Sequence, residues 1–143
     1  MSEIKRIGVL TGGGDCSGLN AVVRAVTLTA INKYGCEVIG FKKGYAGLYA
    51  NDYMELTVEN TEKILNQGGT ILRNSNKDNL FNYAYRDENG NIMHKDVSDV
   101  AVENLKKLNI DALVVIGGDG TLTSARDFAR KGVKVIGVPK TID

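Results

Sequence analysis

Ala112-Leu113-Val114-Val115-Ile116-Gly117-Gly118-Asp119-Gly120-Thr121 is the stretch that decides the fold. Its first five residues are apolar without a break, the pattern of a strand covered on both faces, as in a parallel sheet. The run ends in a glycine turn. From Thr121 to Lys131 the small or apolar residues Leu122, Ala125 and Ala129 recur at helical spacing, so a helix is predicted there, capped by Gly132. Val133 to Val138 then reads as a second strand. Just upstream, Val97, Val100, Ala101, Leu105 and Leu108 form a helical stripe from Asp96 onward.

The chain opens on the same device. Ile4 to Leu10 has strand length and runs into Thr11-Gly12-Gly13-Gly14-Asp15-Cys16-Ser17-Gly18. Val22, Val23, Val26 and Ala30 then mark one face of a helix over Leu19 to Lys33, with Gly35 as its cap and Glu37 to Phe41 as the next strand. Alternating strands and helices predict an α/β protein, a three-layer Rossmann-like sandwich with a mostly parallel sheet. The middle is less regular. Lys42 to Ala50 reads as a loop, Met54 to Val58 as a short strand, Asn60 to Asn66 as a short helix, Thr70 to Leu72 as extended and Arg73 to Asn82 as irregular. Tyr83 to Lys95 reads as a hairpin turning on Asn89-Gly90 in a type I′ turn.

Composition limits the function. A length of 143 residues suits one domain, and 43% hydrophobic with 24% charged residues is ordinary for a globular chain. Eighteen basic residues against 17 acidic ones leave a charge of +1, with no basic excess for nucleic acid or a membrane surface. No apolar run nears the roughly 18 residues that span a bilayer. The start, Met1-Ser2-Glu3-Ile4-Lys5-Arg6, lacks a signal-peptide pattern. Cys16, Cys36 and His94 fit neither a disulfide framework nor a zinc motif. The expected home is the cytoplasm. Glycine is in excess, 17 residues, and seven of them fall within 12–18 and 117–120.

A glycine turn between a buried strand and a helix aims several backbone N–H groups one way, and the helix dipole adds partial positive charge. Two readings stand: a tight turn and nothing more, or a cradle for phosphate. Two such turns on the carboxyl edge of one sheet, where α/β ligands bind, favour the cradle. Neither turn is a G-x-G-x-x-G fingerprint or a Walker loop. Asp119 either caps the following helix or holds a Mg²⁺ that bridges carboxylate and phosphate oxygens. Asp15 reads as a turn or cap residue.

Four motifs in order, Gly13-Gly14-Asp15-x-x-Gly18-x-Asn20, Gly44-Tyr45-x-Gly47-Leu48, Gly118-Asp119-Gly120-Thr121 and Pro139-x-Thr141-Ile142-Asp143, resemble the N-terminal half of the 6-phosphofructokinases. The GGDGT piece alone is shared with NAD kinases and lipid kinases; the other three separate the chain from them. The resemblance implies phosphoryl transfer to the 1-hydroxyl of fructose 6-phosphate, giving fructose 1,6-bisphosphate in glycolysis. It implies that residues 1–143 are an N-terminal donor-binding domain whose partner residues for the sugar phosphate lie elsewhere, so that this piece alone is inactive. It also implies a homo-oligomer for the full-length protein. By position, Gly14 would contact the donor phosphates, Tyr45 would lie near the base, and Gly118, Asp119, Gly120 and Thr121 would cradle the donor, with Asp119 on Mg²⁺. Thr141, Ile142 and Asp143 would meet the sugar, and Asp143 would be the general base.

The family pattern GGT-x-L-G-S-x-R is altered here to Gly68-Gly69-Thr70-Ile71-Leu72-Arg73-Asn74-Ser75-Asn76. Asn76 stands where the family carries a phosphate-bridging Arg, and Lys77 or Arg73 would have to supply the charge without that fork or from another position. Arg24 matches an effector-site position of regulated bacterial members, but Leu28 does not. For the donor, the resemblance implies that Gly120 leaves room for a nucleotide α-phosphate, whereas Lys140 is the family's pyrophosphate-type residue, placed in the catalytic set. Sterics at Gly120 favour ATP; pyrophosphate is the alternative. An NAD or lipid kinase relative and a non-catalytic phosphate-binding half are the remaining readings.

Overall fold

A computed structural model describes residues 4–12, 19–42, 44–64 and 79–139. In chain order these form β1 (Arg6–Thr11), α1 (Leu19–Tyr34), β2 (Glu37–Phe41), α2 (Tyr45–Ala50), β3 (Tyr53–Leu56), α3 (Val58–Ile64), β4 (Tyr83–Arg86), β5 (Ile92–Lys95), α4 (Ser98–Lys107), β6 (Ala112–Gly117), α5 (Asp119–Arg130) and β7 (Val135–Pro139). Five strands make one sheet in the order β3-β2-β1-β6-β7. The β1–β2, β1–β6 and β6–β7 pairs are parallel, and β3 lies antiparallel at the edge. The expected mixed α/β fold with a mostly parallel sheet is therefore observed.

Side chains leave a strand alternately to its two faces, so β6 supplies both sides of the core. Val114 and Ile116 pack with Val9, Val38 and the α1 residues Val23 and Ala30. Leu113 and Val115 pack on the other side with Leu10, with Phe41 of β2, and with Tyr45, Leu48, Ala101, Leu105, Ala125 and Phe128, the last six supplied in pairs by α2, α4 and α5. Burying each of the larger side chains contributes about 1.5–3 kcal/mol. Phe128 is fully buried and is the hub of the second face. Tyr45 stacks on it at 5.7 Å between ring centroids, and Phe81 tilts against it at 4.9 Å.

Several local expectations are corrected. The stretch read as a loop over Lys42 to Ala50 contains α2. Gly44 precedes it at φ 61°, a conformation that glycine takes without the Cβ penalty, and Tyr45 and Leu48 share one buried face at i and i+3. α5 starts at Asp119, two residues early, with Gly118 as its N-cap, so Asp119 lies inside the first turn and does not cap it. Phe128 fills the inward position expected of Ala129, which is exposed. Val100 is likewise exposed, and Asn104 is buried in its stead on α4. The hairpin forms, but its loop runs from Asp87 to Asn91. Gly90 has φ 83°, whereas Asn89 is absent from the positive-φ residues, so the two do not form a type I′ pair. Asp87 explains the wider loop, since its carboxylate accepts from the Asn89 and Asn91 amides at 2.9 Å each.

Candidate active site

The strand order runs outward from the middle in both directions: β1 leads to β2 on one side, and β6 leads to β7 on the other. The switch between the two directions lies between β1 and β6, which pair in register from Ile7 opposite Ala112 to Thr11 opposite Ile116. In open α/β sheets, ligands bind outside the carboxyl ends of the strands at such a switch. Both glycine turns follow those two carboxyl ends. The Gly12 amide donates to the Ile116 carbonyl at 2.9 Å, so the turns begin side by side.

Beyond β6, Gly118 has φ −89° and ψ −166°, and the Leu122 amide donates back to its carbonyl at 2.9 Å. This bond starts α5 and directs the amides of its first turn outward at the sheet edge. Asp119 is exposed on that turn, and its carboxylate makes no ion pair or hydrogen bond among the described residues. Its backbone carbonyl accepts from Thr123 Oγ1 at 2.8 Å.

The four glycines of the two turns described here divide into two kinds. A Cβ on Gly12 would stand 2.6 Å from Thr121 Oγ1, and one on Gly117 would stand 2.7 Å from the Gly12 carbonyl oxygen. Packing excludes a side chain at both. A Cβ on Gly118 or Gly120 would meet nothing within 4 Å, and neither residue has a positive φ. Neither the backbone nor its described neighbours require glycine there. Among the described residues, the exposed Asp119 is thus flanked on both sides by glycines with open space above them.

An exposed carboxylate beside open space suits Mg²⁺, which is commonly held by one or two carboxylates and completed by phosphate oxygens and water. No group of three or more His, Cys, Asp or Glu side chains with metal-binding geometry occurs among the described residues.

Tyr45, expected near the base, has its ring in the core at 5% exposure, and its hydroxyl donates to the Thr121 carbonyl at 2.7 Å. Burial, aided by the charge of Asp127, pushes this phenol far up from its ordinary value, so it remains a proton donor. Thr121 is half-buried, and its side chain faces Gly12 and Gly117. Gly14, Asn76, Lys77, Lys140, Thr141, Ile142 and Asp143 lie outside the described residues, as does Arg73. The structure thus joins Gly118, Asp119, Gly120, Thr121 and Tyr45. Sequence reasoning missed Asn104, whose Nδ2 donates to the Leu48 and Tyr49 carbonyls at 2.9 and 3.0 Å and so fixes the end of α2. One signal was available: an amide among apolar positions of the α4 stripe, one residue before Leu105.

Sheet order, register and paired glycine turns define a doubly wound α/β protein with its ligand edge at the β1/β6 switch. The Phosphofructokinase family model matches residues 6–143, and the chain belongs to that family. It is 71% identical over 143 residues to ATP-dependent 6-phosphofructokinase 2 of Clostridium perfringens, covering 100% of this chain and 39% of that protein. It is 51% identical over 138 residues to pyrophosphate–fructose 6-phosphate 1-phosphotransferase of Dictyoglomus thermophilum, covering 96% of this chain and 36% of that one. Among solved structures, Pichia pastoris phosphofructokinase in the T-state matches with a TM-score of 0.78 at 32% identity, over 100% of this chain and 16% of that one. The chain thus spans well under half the length of these relatives. No helix among the described residues is long and apolar enough to cross a membrane.

Proposed function

We propose that this chain is the donor-binding part of a 6-phosphofructokinase that moves the terminal phosphoryl group of ATP to the 1-hydroxyl of fructose 6-phosphate, leaving ADP and fructose 1,6-bisphosphate. The observation that carries this reading is the open space in front of Gly118 and Gly120 beside the exposed Asp119. Glycine at these two positions has no reason within the described residues, which supports reading the room beside them as space for a ligand. The outward amides of the α5 first turn suit a phosphate chain. Mg²⁺ bound at Asp119 would neutralise charge on the donor phosphates.

Phosphoryl transfer asks the protein mainly for positioning and charge stabilisation. Gly118 to Thr121 hold the donor, and Gly14 is assigned as a further contact to its phosphates. Asn76 and Lys77 are assigned to donor binding, and Lys140 would offer a cation to charge that develops on the transferring group. Thr141 and Ile142 orient the sugar, and the Asp143 carboxylate takes the proton of its 1-hydroxyl as the new P–O bond forms. The active protein is a cytoplasmic homo-oligomer in which the rest of the sugar-phosphate site comes from outside these residues.

The 51% identity to a pyrophosphate-using relative, together with Lys140, favours pyrophosphate as the second reading for the donor. Steady-state turnover of fructose 6-phosphate by the whole protein, with ATP and with pyrophosphate, separates the two. ATP should be used by a wide margin, and Asp119→Ala should lower kcat by about 100-fold or more. Phosphorylation of NAD but not of fructose 6-phosphate would refute the reading.

A further inference from the structure

We infer that Thr121 and Tyr45 are positioning residues that lock Gly12, at the end of β1, to the turn that opens α5. Thr121 is wedged against Gly12 and Gly117, and the buried Tyr45 hydroxyl holds it from behind. The inference rests on reading the Gly118–Thr121 turn as the donor site, but its geometry does not depend on that reading.

Three contacts meet at Thr121. Its Oγ1 and Cγ2 occupy the place where a Cβ on Gly12 would stand, at 2.6 and 3.1 Å. Its Cβ and Cγ2 fill the corresponding place at Gly117, both at 2.8 Å. Its carbonyl accepts the Tyr45 hydroxyl at 2.7 Å. The carbonyl of a first-turn residue normally faces along the helix to an amide four residues on, so the phenol adds a second bond to an oxygen with two lone pairs. The phenol cannot easily swing away. It is stacked on Phe128, which belongs to α5 itself, so α5 is gripped at its first turn and again near its last. Tyr45 in turn is carried by α2, whose end Asn104 of α4 secures.

The consequence is preorganisation. A donor cradle made of backbone amides works only when those amides keep their places before the ligand arrives. Thr121 ties the end of β1 to the start of α5, and Tyr45 keeps the α5 first turn from tilting. The side chain of Thr121 faces the protein, so its contribution to the site runs through its neighbours, and glycine at 12 and 117 is the complement of that side chain.

A mutant cycle in the whole protein tests the wedge. Gly12→Ala should lower thermal stability, and Thr121→Ala in the same chain should restore most of the loss, because it removes the two nearest atoms and leaves the Thr121 Cβ at 3.4 Å from the new methyl. Gly117→Ala should not be rescued, because its methyl also meets the Gly12 carbonyl oxygen at 2.7 Å. Tyr45→Phe should speed hydrogen exchange of the Leu122 amide about tenfold and raise KM for ATP several-fold while kcat changes less. Equal loss from Gly12→Ala with and without Thr121→Ala would overturn the wedge. Unchanged Leu122 exchange in Tyr45→Phe would overturn the latch. Should the protein not phosphorylate fructose 6-phosphate at all, the stability cycle and the exchange rate still decide this inference, and only the proposed function falls.

Discussion

Replacing Asn104 by Ala tests how the site is held from a distance. Asn104 is 9% exposed on α4, and its Nδ2 serves two carbonyls of the last turn of α2, Leu48 at 2.9 Å and Tyr49 at 3.0 Å. Carbonyls of a helix's final turn have no intrahelical donor, so truncation strips both of a partner. A buried acceptor left unpaired costs about 1–3 kcal/mol. The Leu48 contact is buried, whereas the Tyr49 contact is only partly so and regains water, which puts the total near 2–4 kcal/mol. That free energy acts on α2 locally. The Asp52 amide, which donates to the Gly47 carbonyl at 2.8 Å, reports it. Its native-state hydrogen exchange should quicken by about 30- to 700-fold, the same free energy expressed as an equilibrium ratio.

Asn104→Asp sharpens the test. The shape is kept, but a carboxylate offers no donor to two carbonyls, and burial with those neighbours raises its folded pKa above the unfolded value. Its stabilising bond, made by the protonated form, is therefore present below the unfolded pKa and lost as pH rises through the folded pKa. Exchange at Asp52, corrected for the intrinsic pH effect, should approach the native rate in acid and the Asn104→Ala rate at neutral pH. Less than a threefold change in Asn104→Ala, or no pH dependence in Asn104→Asp, would refute the reasoning.

Two further outcomes are expected. Gly120→Asp places a side chain in open space, so melting should be unchanged while turnover with ATP falls by about 100-fold and pyrophosphate is spared; equal loss with both donors would contradict the steric reading. Asp111 accepts the Lys5 and Arg6 amides at 2.8 and 3.0 Å, which hold its carboxyl below the ordinary carboxylate range. Its contribution is present above the unfolded pKa and fades as pH falls through the folded one, so Asp111→Asn should flatten the acid limb of a stability profile below about pH 4, measured by thermal melting in steps of pH.

The elements with a strong period were legible from the sequence alone. The apolar run at Ala112–Ile116 and the stripe of Val22, Val23, Val26 and Ala30 state their burial within a few residues, because a two-sided strand and a one-sided helix need different spacings. The glycine turns and Asp119 were legible too, since each follows its strand directly in sequence. α2 was not, because six residues with two glycines nearby carry too little periodicity, and its burial depends on Phe128 more than 80 positions away. The hairpin loop was misread for a different reason: the Asp87 carboxylate, outside the Asn-Gly pair, sets its width.

By itself the sequence determined the class of fold, the order of its strongly periodic strands and helices, and a carboxyl edge with two turns rich in glycine. Only the tertiary structure decided that β1 and β6 are neighbours, which sets the first residues of those turns side by side, and that Gly12 and Gly117 are glycines for Thr121 whereas Gly118 and Gly120 are not. Spacing along a chain reports local geometry. The side chain that fills the space above Gly12 is fixed by a contact between residues more than 100 positions apart, Gly12 and Thr121, and no local pattern encodes it.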